Sequence, residues 1–221
     1  ALRSGLHGRT KLTMSLTGIA MWRTDPNPVG GISFAPNPYC YRCPMGKEYP
    51  ACDLACANMV EDIIRTVTSG RPAAFIAETI QGNAGIVVPP PGYFKRIKEI
   101  LTHFGTLFIA DEVQTGFART GRMFGIEHYD VQPDIMTMAK ALGNGAPISA
   151  FIATPTVADK YKKHRPSAAI PSPPRQDSAS SAISSRMISW GTPSGAAHSC
   201  VQGCRRLQRG IPSSATFAAS G

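Results

Sequence analysis

Hydrophobic positions along the first three-quarters of the chain follow two periods in alternation. Met59, Val60, Ile63, Ile64 and Val67 recur at helical spacing. Asp53 is suited to cap that helix, which is predicted to run to Ser69 with Gly70 as its stop. Ala73 to Ala77 reads as a strand ending in Glu78. Pro89-Pro90-Pro91 leads into a second helix, where Phe94, Ile97, Ile100, Leu101 and Phe104 repeat every three or four residues until Gly105. Thr106 to Ala110 is a short run of large apolar residues, as expected of a buried parallel strand, and it delivers Asp111 to its carboxyl end. A short helix is predicted near Met123 to His128. A strand over Ile135 to Ala139 delivers Lys140, and another covers Ile148 to Ala153. Ahead of these, His7 to Gly18 reads as a turn and a helix start, and six prolines between 25 and 50 mark a long loop. Strand–helix–strand alternation predicts an α/β fold with a mostly parallel sheet and right-handed crossovers.

The pattern stops after Lys163. Of the 57 residues from Arg165 to Gly221, 33 are Ser, Ala, Pro or Gly, and no period survives. The chain is thus expected to divide into a folded part, 1–164, and a low-complexity, disordered tail, 165–221. That division also reinterprets the net charge of +9. The tail holds six arginines against one acid, or +5, and leaves +4 for positions 1–164. With more than half the excess in the least patterned quarter, and no interleaving of aromatic and basic residues, nucleic-acid binding is not expected. No stretch reaches the roughly 18 apolar residues of a membrane span. The start at Ala1 without a methionine suggests a fragment.

Candidate chemistry collects at two strand ends. Open α/β sheets bind ligands at the carboxyl ends of their strands, where the pattern puts Asp111 and Lys140. An acid and a lysine there suit pyridoxal phosphate: the lysine forms a Schiff base, and the aspartate keeps the pyridine nitrogen protonated so that the ring is an electron sink. A rival feature is Cys40, Cys43, Cys52 and Cys56, whose spacing is a fair match to zinc ligands. No histidine lies within the cluster, and reduced thiols at a loop–helix junction are the expectation, with no metal.

Asp111-Glu112-Val113-Gln114-Thr115-Gly116-Phe117, Arg119-Thr120-Gly121, Pro133-Asp134-Ile135 and Ala139-Lys140-Ala141-Leu142-Gly143 together resemble the class III aminotransferases. These include the ω-amino-acid and alanine–glyoxylate enzymes of the fold type I pyridoxal phosphate group. The resemblance runs from about His7 to about Lys163 and implies the incomplete large domain of such an enzyme. It also implies a reaction: transfer of an amino group from an ω-amino acid or alanine to a 2-oxo acid such as pyruvate, glyoxylate or 2-oxoglutarate. It assigns Lys140 as the catalytic lysine, Asp111 as partner of the pyridinium, Val113 to a ring face and Gln114 to the phenolic oxygen. Glu78 matches a glutamate near the substrate carboxylate, able to pair with an arginine. Leu6 stands where the family places a stacking aromatic, His7 is a neighbour of the site, and Thr79 replaces a usual proline. A homodimer is implied, in the cytoplasm or alternatively the mitochondrial matrix. A mutase or decarboxylase on the same fold and a small metal-binding protein using Cys40–Cys56 are the alternatives. The family's phosphate loop and small domain have no counterpart in the sequence. In addition, the stretch from His164 to Ser172 can be encoded so that a shifted frame reads Ser-Thr-Phe-Gly-Gly-Asn-Pro-Val, close to a family motif. The tail is therefore expected to be a frameshift product and the chain as written to be inactive.

Overall fold

A computed structural model describes residues 1–163, with side chains through residue 160. The tail from Arg165, and the frameshift expectation attached to it, lie outside the described residues. Residues 1–151 form one compact unit, and a second begins at Ile152.

At the centre of the first unit are three parallel strands, β1 (Ala74–Glu78), β2 (Leu107–Asp111) and β3 (Ile135–Met138), adjacent in that order. Their register aligns Glu78 with Asp111 and Asp111 with Thr137, so the three carboxyl ends finish at one level. Asp134 helps fix this register. Its Oδ2 accepts the Phe108 N–H at 2.8 Å and the Lys98 ammonium at 2.6 Å, while its own N–H donates to the Phe108 carbonyl at 2.9 Å. Strand burial alternates, unlike the two-sided burial expected from the apolar runs. Phe75, Ala77, Phe108, Ala110, Met136 and Met138 are buried, whereas Ile76, Ile109 and Ile135 on the other face are only half-buried.

The buried face is covered by a helix within the β1–β2 crossover. In chain order the helices of this unit are α1 (Lys11–Leu16), α2 (Ala55–Thr66) and α3 (Tyr93–His103). Phe94 of α3 stacks on Phe108 with centroids 5.6 Å apart, and Tyr129 meets Phe94 edge-on at 4.9 Å. Every apolar position expected on α3 as far as Leu101 is buried, and Tyr93 joins them. Phe104, just past the helix, is half-buried beneath the Arg65 guanidinium, 4.9 Å from its ring centroid.

Helix α2 departs from expectation at both ends. Asp53 and Leu54 take left-handed conformations, with φ of 47° and 51°, so the helix begins at Ala55 and Asp53 does not cap it. It ends at Thr66, which leaves Val67 63% exposed. Its buried stripe is Cys56, Ala57, Val60 and Ile64, a phase set by packing against α3. The helix expected near Met123 is a 3-10 turn over Gly125–Tyr129. Strand β4 (Ala150–Ala153) crosses the boundary at Ile152, and helix α4 (Pro155–Lys163) follows within the second unit. No helix among the described residues is long and apolar enough to cross a membrane.

Because Phe94 and Phe108 are fully buried against each other, Phe94→Ala should leave a cavity and cost about 3–5 kcal/mol. The denaturant midpoint should fall accordingly, whereas Val67→Ala, at an exposed position, should leave it nearly unchanged.

Candidate active site

Asp111 ends β2 with its side chain 6% exposed. An ionised carboxylate at such depth needs partners, because burial without them costs several kcal/mol. Oδ1 accepts the Val113 N–H at 3.1 Å, and Oδ2 lies 2.7 Å from His7 Nδ1. The carboxylate can only accept, so the imidazole proton is on Nδ1. The His7 ring is 1% exposed, and its Nε2 is buried with no partner among the described residues.

Close backbone approach brings His7 there from 104 residues away. The Gly18 N–H donates to the Gly5 carbonyl at 2.8 Å, and the His7 N–H donates to Thr17 Oγ1 at 3.2 Å. A Cβ on Gly18 would fall 1.8 Å from the Arg3 carbonyl oxygen, so only glycine permits this crossing.

Glu78, at the end of β1, is also buried. Its Oε1 accepts the Leu6 N–H at 2.8 Å and its Oε2 the Gly82 N–H at 2.9 Å. Burial pushes its carboxyl above the usual range. The two amide donors and His7 pull it down, and Asp111 adds to the rise. Both oxygens are thus committed to backbone, one of them to the residue preceding His7.

Gln114 follows two residues after Asp111's neighbour Glu112 and faces Lys140, whose Nζ donates to Gln114 Oε1. Lys140 opens a 3-10 turn, Lys140–Gly143, directly beyond β3. Six of the seven expected site residues, Leu6, His7, Glu78, Asp111, Gln114 and Lys140, are thereby connected through strand ends and hydrogen bonds. The seventh, Val113, enters through its backbone amide.

Glu112 belongs to this arrangement and went unrecognised in the sequence. It is fully buried, and its carboxylate accepts the Gly125 N–H at 2.9 Å, the Ile126 N–H at 2.7 Å and the Thr115 hydroxyl. Thr115 Oγ1 in turn lies 2.7 Å from Thr79 Oγ1. Thr79, at a position where proline was expected, therefore supplies a hydroxyl that proline lacks. Gly125 fits only because it has no side chain, since a Cβ there would lie 2.6 Å from Thr79 Oγ1. The available sequence signal was an acid just past a buried strand with threonine three residues on, which is a turn-closing arrangement.

A sequence profile described as Aminotransferase class-III matches residues 1–167. The chain belongs to the class III aminotransferase family. It is 44% identical over 155 residues to a leucine/methionine racemase of Thermococcus litoralis, covering 69% of this chain and 35% of that protein. To the mitochondrial alanine–glyoxylate aminotransferase 2 homolog 2 of Arabidopsis thaliana it is 43% identical over 158 residues, covering 72% and 32% respectively. Among solved structures, the omega transaminase of Pseudomonas jessenii in complex with PMP superposes with a TM-score of 0.62 at 35% identity. That likeness covers 67% of this chain and 33% of the transaminase. The chain spans about a third of the length of the curated relatives it matches. The α/β architecture with its parallel sheet is that of these transaminases.

Among the described residues, no group of three or more His, Cys, Asp or Glu side chains is arranged to hold a metal ion, the Cys40–Cys56 cluster included. The family match and the transaminase neighbours likewise do not favour the metal-binding, mutase or decarboxylase readings.

Burial raises the Glu112 carboxyl above its ordinary value of 4.5, against the pull of its hydrogen-bond donors. The folded state then holds that proton more tightly than the unfolded chain. The associated stabilisation is fully present below pH 4.5 and is lost as pH rises through the raised folded value. Glu112→Gln, which does not titrate, should lack this slope when unfolding free energies of the two proteins are compared across that window. Glu112→Ala should cost about 1–3 kcal/mol per orphaned amide and speed hydrogen exchange at Gly125 and Ile126.

Proposed function

We propose that the protein of which this chain forms part is a pyridoxal 5'-phosphate-dependent aminotransferase. It moves an amino group from an ω-amino acid or alanine to a 2-oxo acid. The observation that carries this reading is the meeting of a buried, hydrogen-bonded Asp111 and the Lys140–Gln114 pair at the carboxyl ends of adjacent parallel strands. The residues suit the cofactor. A carboxylate offers about four acceptor sites, and Asp111 spends two on His7 and Val113, which leaves capacity for a protonated ring nitrogen. When bound, pyridoxal phosphate supplies an electron sink for the carbon that carries the amino group.

In this reading Lys140 holds the cofactor and moves the proton at the substrate carbon. Asp111 keeps the ring nitrogen protonated, and His7 fixes Asp111 in register. Leu6 and Val113 would flank the ring, and Gln114 would bond the phenolic oxygen. Glu78, with both oxygens on backbone amides, is assigned to hold Leu6 and Gly82 in place. Each oxygen keeps a second acceptor site, so Glu78 can also pair with an arginine near the substrate. A homodimer and a cytoplasmic location complete the proposal, supported by the family resemblance, while the mitochondrial Arabidopsis relative supports a mitochondrial location as the alternative.

A second reading, racemisation, draws support from the 44% identity to a racemase. The two separate cleanly in an assay. Transamination requires a 2-oxo acid and yields a new amino acid, whereas racemisation inverts a single amino acid with no acceptor present.

Borohydride reduction of the protein with pyridoxal phosphate, followed by peptide mapping, should place the pyridoxyl group on Lys140. Label on Lys95, Lys98 or Lys160 instead would sink the assignment. In a full-length parent, Asp111→Ala should weaken cofactor binding by about 1.5–3 kcal/mol, the scale of one charge-assisted hydrogen bond, and lower turnover by considerably more. Near-normal turnover in that variant would remove Asp111 from the role.

A further inference from the structure

Gln114 meets Lys140 over a stretch of backbone that carries no side chain. A Cβ on Gly82 would lie 3.1 Å from Gln114 Cδ and 3.2 Å from both its Nε2 and its Oε1. Nearly equal distances to three atoms of a planar amide put that point over the face of the amide, not at its edge. The Gln114 carboxamide therefore lies flat on Gly82, while its Oε1 accepts the Lys140 ammonium.

Gly82 has no room to retreat. Its N–H donates to Glu78 Oε2 at 2.9 Å, and its carbonyl accepts the Gly85 and Ile86 N–H groups at 3.1 and 3.2 Å. The preceding residue, Gln81, is fully buried and exchanges two backbone hydrogen bonds with Val87, both at 3.0 Å. The backbone on the other side of the contact is held as well. The Gly116 N–H closes the turn onto the Glu112 carbonyl at 2.9 Å, and the Val113 N–H is fixed to Asp111. What can move is the Gln114 side chain. The φ of Gly82 lies outside the left-handed range, so its conformation is open to alanine, and glycine matters here for space alone.

We infer that Gly82 is a positioning residue for Lys140 that acts through Gln114. The missing Cβ sets the height at which the amide oxygen meets the ammonium. Its bearing on the reaction rests on the reading of Lys140 as the cofactor lysine. A Cβ at this position makes the amide give way by a few tenths of an ångström, and Lys140 loses an acceptor held in place. A glutamine side chain shifts at little cost, so the loss falls on Lys140 and not on the stability of the fold. Glu78 enters the same chain of support, because its carboxylate pins the Gly82 amide. The end of β1 thus braces the lysine beyond β3 across the end of β2.

The test labels the 221-residue chain, without added pyridoxal phosphate, with a trace of acetic anhydride. Acetylation of Lys140 is mapped by mass spectrometry against Lys95, which is exposed on α3. Gln114→Ala should raise the relative acetylation of Lys140 about fivefold, the scale of one net hydrogen bond. Gly82→Val should approach that value and Gly82→Ala should give about twofold, a fraction of the same bond. The denaturant midpoint of Gly82→Ala should match that of the parent. Combined with Gln114→Ala, Gly82→Ala should add nothing. Unchanged Lys140 acetylation in both Gly82 variants would overturn the inference. So would a Gly82→Ala effect that persists once Gln114 is replaced, or an equal rise at Lys98, whose bond to Asp134 reports general loosening. Because no cofactor is present, these outcomes stand apart from the borohydride mapping: label absent from Lys140 there removes the cofactor reading and leaves the Gly82–Gln114–Lys140 contact to this test.

Discussion

Burial of the Asp111 carboxylate at the end of β2 is the constraint around which the rest of this site is arranged. A charge at that depth is tolerated only with partners in fixed positions, and the chain supplies them from two directions. Val113 donates an amide from the turn that follows, and His7 donates a ring N–H from a segment far away in sequence. Holding His7 there requires the Gly5–Gly18 crossing, which in turn requires a glycine. Parallel register then puts the ends of β1 and β3 level with Asp111, and Lys140 and Glu78 arrive at the same edge.

Three buried carboxylates at this edge divide the work. Asp111 takes one backbone amide and the His7 ring. Glu78 and Glu112 turn their oxygens onto backbone amides of Leu6, Gly82, Gly125 and Ile126. Their carboxyls sit above the usual range because burial outweighs the donors. Each pins a loop that carries a candidate site residue: Glu78 the Leu6–His7 segment, and Glu112 the turn containing Val113 and Gln114. A hydroxyl chain from Thr79 through Thr115 to Glu112 links the ends of β1 and β2.

An edge of this kind suits more than one reaction type. A protonated ring nitrogen and a lysine beside the reacting carbon serve any reaction that begins by breaking a bond at that carbon. The relatives include a racemase and several aminotransferases.

The sequence by itself determined the elements and the literal motif. The apolar period of α3, the short runs of β2 and β3, and the positions of Asp111 and Lys140 at strand ends follow from local spacing, because helix and strand periods are properties of neighbouring residues. So does the family resemblance. Tertiary structure alone decided the start of α2, where two left-handed residues override a plausible cap at Asp53, and the phase of its buried stripe. It also decided the contacts that define the site. His7 with Asp111 and Leu6 with Glu78 span 104 and 72 residues, and no local period encodes a partner at such a distance. Glu112 looked like one more acid in a loop until packing put three donors around it, since the cost of burying a charge, and so its need for partners, exists only once the chain has closed over it.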